Sequence, residues 1–186
     1  MLRTNNSFLF FIQQLYETDQ HHKEIHLKRF PKGSWLLQQG EKATRIFIVA
    51  EGITKCYFSE ENGKNYILEF LGAGEIAGEL EVIKEINCLC NIEAVTEVRA
   101  YVLTVPLVKS LLANNPAFNH MLLTELAERI INTSSRSSFQ QLYSVEHALK
   151  KLLMLKAEHQ LSISKEDMAA YLGVTLRSLN RLLAVK

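Results

Sequence analysis

Three side chains near the end of this 186-residue sequence could act together: Arg177, Asn180 and Arg181. Residues three and four apart share one face of a helix, so this spacing projects two guanidiniums and an amide from a single surface. Arginine pairs bidentately with a guanine edge and asparagine with an adenine edge, which suits such a face to a major groove. Leu176 on the same side can meet a thymine methyl, and Thr175 and Ser178 complete the leading turn.

Holding that face outward requires two short helices. Ser164, with Asp167 three residues on, forms a capping-box-like start, and Met168, Ala169 and Leu172 follow at helical spacing. Gly173 stops the first helix, because a left-handed closing residue is best without a Cβ. Val174 is the expected buried hinge and Thr175 the cap of the second helix, with Leu179, Leu182 and Leu183 facing inward. The stretch from Ser164 to Lys186 is thus expected to be a helix-turn-helix.

With 47% hydrophobic residues the chain can bury one ordinary core and a small second one. A net charge of +1 says nothing overall, but its distribution does. From Ser144 onward there are seven Lys/Arg against four Asp/Glu; before it, fourteen against sixteen. The basic excess lies with the helical hairpin.

Asn6–Tyr16 is expected to be an amphipathic helix, with Phe8, Phe11, Ile12 and Leu15 on its packing face. From Ile25 to Val105 the pattern is all-β. Ile25–Phe30, Trp35–Gln38, Arg45–Ala50, Ile53–Phe58, Tyr66–Leu71 and Glu97–Val105 read as strands. They are separated by Pro31-Lys32-Gly33, Gly40-Glu41, Glu51-Gly52, Asn62-Gly63 and Gly72-Ala73-Gly74, the second last being a hairpin signal. Evenly spaced strands without helices between them predict a jelly-roll. Pro106–Leu112 is a short helix and Ala117–Tyr143 the longest. In it Leu123, Leu126, Ile130, Thr133, Ser137 and Gln140 step as a heptad seam. The helix could pack only on the chain's own strands, but one this long leaves a face to bury, so pairing with a second copy is expected. Glu146–His159 is a further helix, and Ile163 fits a brief strand.

Three cysteines, Cys56, Cys88 and Cys90, cannot all pair within the chain. No signal peptide or spanning segment is evident, so a cytoplasmic protein with reduced thiols and no membrane partner is expected. On a strand Cys88 and Cys90 would point to one face. Two or three thiols do not complete a zinc or iron–sulfur site, so a buried structural role is expected, with thiol sensing as the alternative. His21, His22 and His26 lie in a polar connection without ligand spacing, and all six histidines are expected outside the strands. A metal-dependent jelly-roll enzyme is therefore not expected, nor is any catalytic residue, metal or cofactor.

The order Phe30-Pro31-Lys32-Gly33, Gly40-Glu41, Ile46–Gly52, Gly72-Ala73-Gly74-Glu75 and Gly78-Glu79-Leu80, followed by a long helix and a helix-turn-helix, resembles the Crp/Fnr superfamily of transcription regulators. The resemblance runs from about Ile25 to the last residue. Gly78-Glu79-Leu80-Glu81 and Tyr171-Leu172-Gly173-Val174 look most like the YeiL-type branch. It implies an α+β architecture: residues 1–116 a double-stranded β-helix sensor of the cyclic-nucleotide-binding kind, 117–143 a dimerisation helix, and 144–186 a helix-turn-helix domain without its wing. It implies DNA, a second copy and RNA polymerase as partners.

In the family the segment after Gly-Glu-Leu holds the cyclic phosphate with helix-start amides and an arginine. Gly78, Glu79 and Leu80 match, but the arginine position reads Asn87-Cys88-Leu89-Cys90. A cyclic nucleotide is therefore not expected, and an unknown small-molecule effector or none takes its place. Thr133-Ser134 match the pair that the family's long helix offers to the base. Ser134, Ser135, Ser137 and Ser138 around Arg136 weaken the helix, so a hinge between frayed and continuous forms is expected there, setting readers about 34 Å apart. The family's guanine-reading arginine is replaced by Leu176 and the following acidic residue by Arg177, whereas Arg181 matches a base-reading arginine. Winged members continue past the position of Lys186 with a phosphate-touching hairpin. The rival reading is accordingly a ligand- or protein-binding sensor without effective DNA binding.

Overall fold

Alternating side chains explain why the middle of the chain forms two stacked sheets. In a strand, odd and even residues face opposite sides, and Arg45–Glu51 buries both sets in turn. Phe47 and Val49 point between the sheets, while Ile46 and Ile48 point the other way, onto helices. The structure, a computed structural model, describes residues 2–18, 23–159 and 161–184. Its strands are β1 (Leu2–Arg3), β2 (Ile25–Phe30), β3 (Trp35–Leu37), β4 (Arg45–Glu51), β5 (Thr54–Ser59), β6 (Asn65–Leu71), β7 (Ile76–Ala77), β8 (Asn91–Ala94) and β9 (Val98–Thr104). They form one sheet ordered β1-β6-β5-β8-β3 and a second ordered β2-β9-β4-β7. The expected jelly-roll is present.

The helices are α1 (Asn6–Glu17), α2 (Glu79–Lys84), α3 (Val105–Asn114), α4 (Pro116–Leu142), α5 (Val145–Glu158), α6 (Lys165–Leu172) and α7 (Leu176–Ala184). Three apolar clusters organise them. Leu36, Phe47, Val49, Leu71, Ile92, Ala100 and Val102 fill the space between the sheets. Phe8 and Ile12 of α1, Leu107 and Leu111 of α3 and Phe118 and Leu122 of α4 cover the outer face of the four-stranded sheet. The outer face of the other sheet, through Tyr57, Ile67 and Phe70, receives Leu149 and Leu152 of α5, Met168 and Ala169 of α6, and Leu179 of α7. The last three helices are therefore held against the β-roll by a shared core.

Several expectations change. Cys88 and Cys90 precede β8 instead of lying on a strand, because the chain is still bending there: the Cys88 N–H donates to the Glu41 carbonyl and the Gly40 N–H to the Cys88 carbonyl. Ile163 forms no strand; it is a buried loop residue whose carbonyl accepts from Lys156 Nζ. His26 is not in a connection but on β2, with its side chain exposed. His21 and His22 lie outside the described residues. The serine-rich part of α4 is helical to Leu142, which is the continuous one of the two forms expected of that segment. Among the described residues no helix is long and apolar enough to cross a membrane.

Candidate DNA-reading face and effector cassette

The helix-turn-helix is built by local chemistry. Ser164 Oγ accepts the Asp167 N–H at 3.0 Å and so starts α6. Gly173 ends it with φ +69°, and the Val174 N–H closes back onto the Ala169 carbonyl. Thr175 Oγ1 accepts the Ser178 N–H at 3.1 Å and donates to Ser178 Oγ at 3.0 Å. Thr175 and Ser178 are thus occupied in capping α7, and Ser178 is half-buried. On α7, Leu179 is fully buried and Leu182 and Leu183 are half-buried. The opposite face carries Leu176, Arg177, Asn180 and Arg181, all exposed. Among the described residues neither Arg177 nor Arg181 has an ion pair or hydrogen-bond partner, so both guanidiniums are uncommitted. A helix end presenting free cations and polar tips can bind phosphates and base edges.

The reader is tied to the β-roll by two polar contacts that have no local sequence signal. Lys55 of β5 reaches Asp167 at 2.7 Å and Glu93 at 3.2 Å. Burial alone would lower the Lys55 pKa, but the hydrogen bond and charge of Asp167, with Glu93, raise it overall. Arg136 of α4 is the second tie. Its guanidinium lies 4.1 Å from the Tyr171 ring centre and 5.1 Å from that of Tyr66. It donates to the carbonyl of Leu68 on β6 and, at 2.6 Å, to that of Tyr171 on α6. Nearby, the Tyr66 hydroxyl donates to Gln140 at 2.8 Å.

The proposed dimer seam is split. Leu123 and Ile130 are about two-thirds exposed, at 67% and 68%. Thr133 and Ser137 are exposed as well, while Leu126 is half-buried against the core. Ile131 adds a further exposed apolar side chain. The inward face instead carries Phe118, Leu122 and Glu125. Thr133 and Ser134 line a shallow depression with Ser137, Ser138, Gln141 and Leu142, none of them a cassette residue.

The cassette itself is closed and acidic. Gly78 has φ +96°, and a Cβ there would meet the Arg45 carbonyl at 3.0 Å. Glu79 is buried and paired with Arg129, which also donates to the Ile76 carbonyl at 3.1 Å. Burial nevertheless raises the Glu79 pKa against the pull of Arg129. Leu80 is half-buried and Leu89 exposed. Glu81, quoted from sequence only as part of the Gly78-Glu79-Leu80-Glu81 stretch and given no site role there, is 6% exposed and its carboxylate accepts the Leu89 N–H at 3.1 Å. That amide is therefore already occupied by an anion of the protein's own. Cys88 is buried; burial first, then Glu81 and Cys90, push its thiol up to about 11. Half-buried Cys90 instead meets Cys56 across the sheet.

Behind the cassette lies a buried ion cluster whose members are scattered along the chain. Arg3 pairs with Glu69 and Glu75, each at 3.0 Å, and with Glu125. Arg129 lies 3.8 Å from Glu69 and 3.9 Å from Glu125. Four carboxylates thus share two guanidiniums, and burial raises Glu75 to about 7 despite Arg3 and Arg129. Among the described residues no group of His, Cys, Asp and Glu could hold a metal ion.

Residues 27–115 match the cyclic nucleotide-binding domain family. The chain is 24% identical over 175 residues to the CRP-like cAMP-activated global transcriptional regulator of Mycobacterium tuberculosis, covering 87% of this chain and 77% of that one. It is also 24% identical over 169 residues to the cAMP-activated global transcriptional regulator CRP of Haemophilus influenzae, covering 85% and 75%. Among solved structures, a CooA mutant from Carboxydothermus hydrogenoformans superposes with a TM-score of 0.75 at 18% identity, over 98% of this chain and 86% of that one. A transcriptional regulator of the CRP/FNR family from Thermus thermophilus gives 0.72 at 18% identity, over 85% and 84%. At these identities the structural likeness is one of fold.

Proposed function

The chain belongs to the Crp/Fnr superfamily of transcription regulators, and we propose that it reads DNA through the outward face of α7. The observation that carries this is the pair of uncommitted guanidiniums, Arg177 and Arg181, flanking Asn180 on a helix whose opposite face is buried. Arg181 is assigned to a base edge, Arg177 to a base edge or phosphate, and Leu176 to a thymine methyl. Thr175 and Ser178 act chiefly by shaping the helix start. Leu123 and Ile130, with exposed Thr133 and Ser137, form the face for a second copy, which doubles the readers and fixes their spacing. RNA polymerase is the further partner such a regulator would meet.

Cyclic nucleotides are not the effector in this reading. The cassette offers Glu79 and Glu81 where an anion would need a cation, and the Leu89 amide is taken. Burying a phosphate there would leave its charge unpaired. Selection of bound sequences from a random DNA pool tests the proposal. Recovery of a two-fold symmetric motif supports it; a pool that stays random refutes it. Calorimetry with cyclic AMP and cyclic GMP should show no heat of binding.

A further inference from the structure

Two of the three thiols form a site that DNA reading does not use. Cys56 sits in the middle of β5, opposite Ile92 of β8 on one side and Glu69 of β6 on the other. Cys90 immediately precedes β8, where the backbone is not yet in the ladder. Both thiols are free, and their sulfurs are 2.9 Å apart. Cys56 is buried and Cys90 half-buried, so Cys90 is the more accessible residue of the pair.

From this geometry we infer that Cys56 and Cys90 are a peroxide-oxidisable pair that closes to an intrachain disulfide. A disulfide needs sulfurs at about 2.05 Å, so closure requires less than about 1 Å of movement, which falls to Cys90 because Cys56 is fixed in the ladder. The Cys90 thiolate attacks one oxygen of a hydroperoxide; the O–O bond breaks, and Cys90 becomes a sulfenic acid as hydroxide leaves. The Cys56 sulfur then attacks the Cys90 sulfur. The S–S bond forms, the S–O bond breaks, and the sulfenic oxygen leaves as water with the Cys56 proton. Two thiols and one peroxide thus become one disulfide and two waters (or one water and one alcohol for an organic hydroperoxide). Cys88 stays out of the reaction: among the described residues the one sulfur–sulfur contact is between Cys56 and Cys90.

The bond would fasten the segment between α2 and β8, which carries the second half of the cassette, to the centre of the five-stranded sheet.

The full reduced chain is treated with stoichiometric hydrogen peroxide, alkylated after unfolding, digested and mapped by mass spectrometry. The expected result is a Cys56–Cys90 linked peptide pair, an intact mass lower by two hydrogens before alkylation, reversal by dithiothreitol, and alkylation only at Cys88. C88S should form the same link and C90S should lose it. The wild-type map decides the matter even if a variant fails to fold. Recovery of Cys90 as sulfinic acid without a link, a link to Cys88, a link between two chains, or free alkylated Cys56 and Cys90 would each overturn the inference.

Discussion

Replacing Arg136 with alanine should loosen the reader from the β-roll without touching any DNA-facing residue. The guanidinium donates to the Leu68 and Tyr171 carbonyls and packs between the rings of Tyr66 and Tyr171. A hydrogen bond from a charged donor contributes about 1.5–3 kcal/mol and a cation–π contact about 0.5–2 kcal/mol. Arg136 is half-buried, so the lower ends of these ranges apply, and the two hydrogen bonds by themselves make Arg136→Ala cost at least ~3 kcal/mol in docking. Arg136→Lys keeps the charge but not the planar fork, so it should recover under half of that. Amide hydrogen exchange across α6 reads the effect directly, because undocking exposes those amides. At about tenfold per 1.4 kcal/mol, protection should fall about a hundredfold in the alanine variant. Protection of α6 within twofold of wild type would refute the assignment of Arg136 as the tie.

Glu75 predicts a pH dependence. Its ordinary pKa of 4.5 rises to about 7 on folding, so the folded state holds the proton more tightly. The resulting stabilisation is complete below pH 4.5 and is lost as pH climbs to about 7. At about 1.4 kcal/mol per unit this is ~3 kcal/mol, so the urea midpoint of wild type should fall across that window and Glu75→Gln should flatten the slope. Arg129→Ala strands buried Glu79 and should cost about 3–5 kcal/mol of stability in chemical denaturation. Ile130→Glu should leave the single chain folded, since the side chain is 68% exposed. It should nonetheless shift sedimentation from dimer to monomer, because each fully buried isoleucine contributes about 1.5–3 kcal/mol. Arg181→Ala should weaken DNA binding by about 1–3 kcal/mol and relax one base position, measured by competition among operator variants.

What the sequence made legible was local. The caps at Ser164 and Thr175, the stop at Gly173 and the inward leucines of α7 act over three or four residues, and each lies where its chemistry requires. Asn62-Gly63 does join β5 to β6, with Gly63 at φ +74°. The short strands β1 and β7 leave no trace in the pattern because two residues carry no period. The ion cluster is illegible for a different reason: Arg3, Glu69, Glu75, Glu79, Glu125 and Arg129 meet only after the sheets and α4 pack, and each alone resembles a surface charge. Arg136 is masked by its run of serines. That run suggests a weak helix, whereas the arginine anchors the helix to two other elements.

The central claim is that α7 presents cations to DNA, and the ionic strength dependence of binding tests it most directly. Anisotropy with a selected duplex should give a falling line of log K against log salt, with a slope of about −0.9 per phosphate neutralised. Arg177→Ala combined with Arg181→Ala should make the slope shallower and weaken binding. A salt-independent affinity, or a slope and affinity unchanged by removing both arginines, would contradict the account.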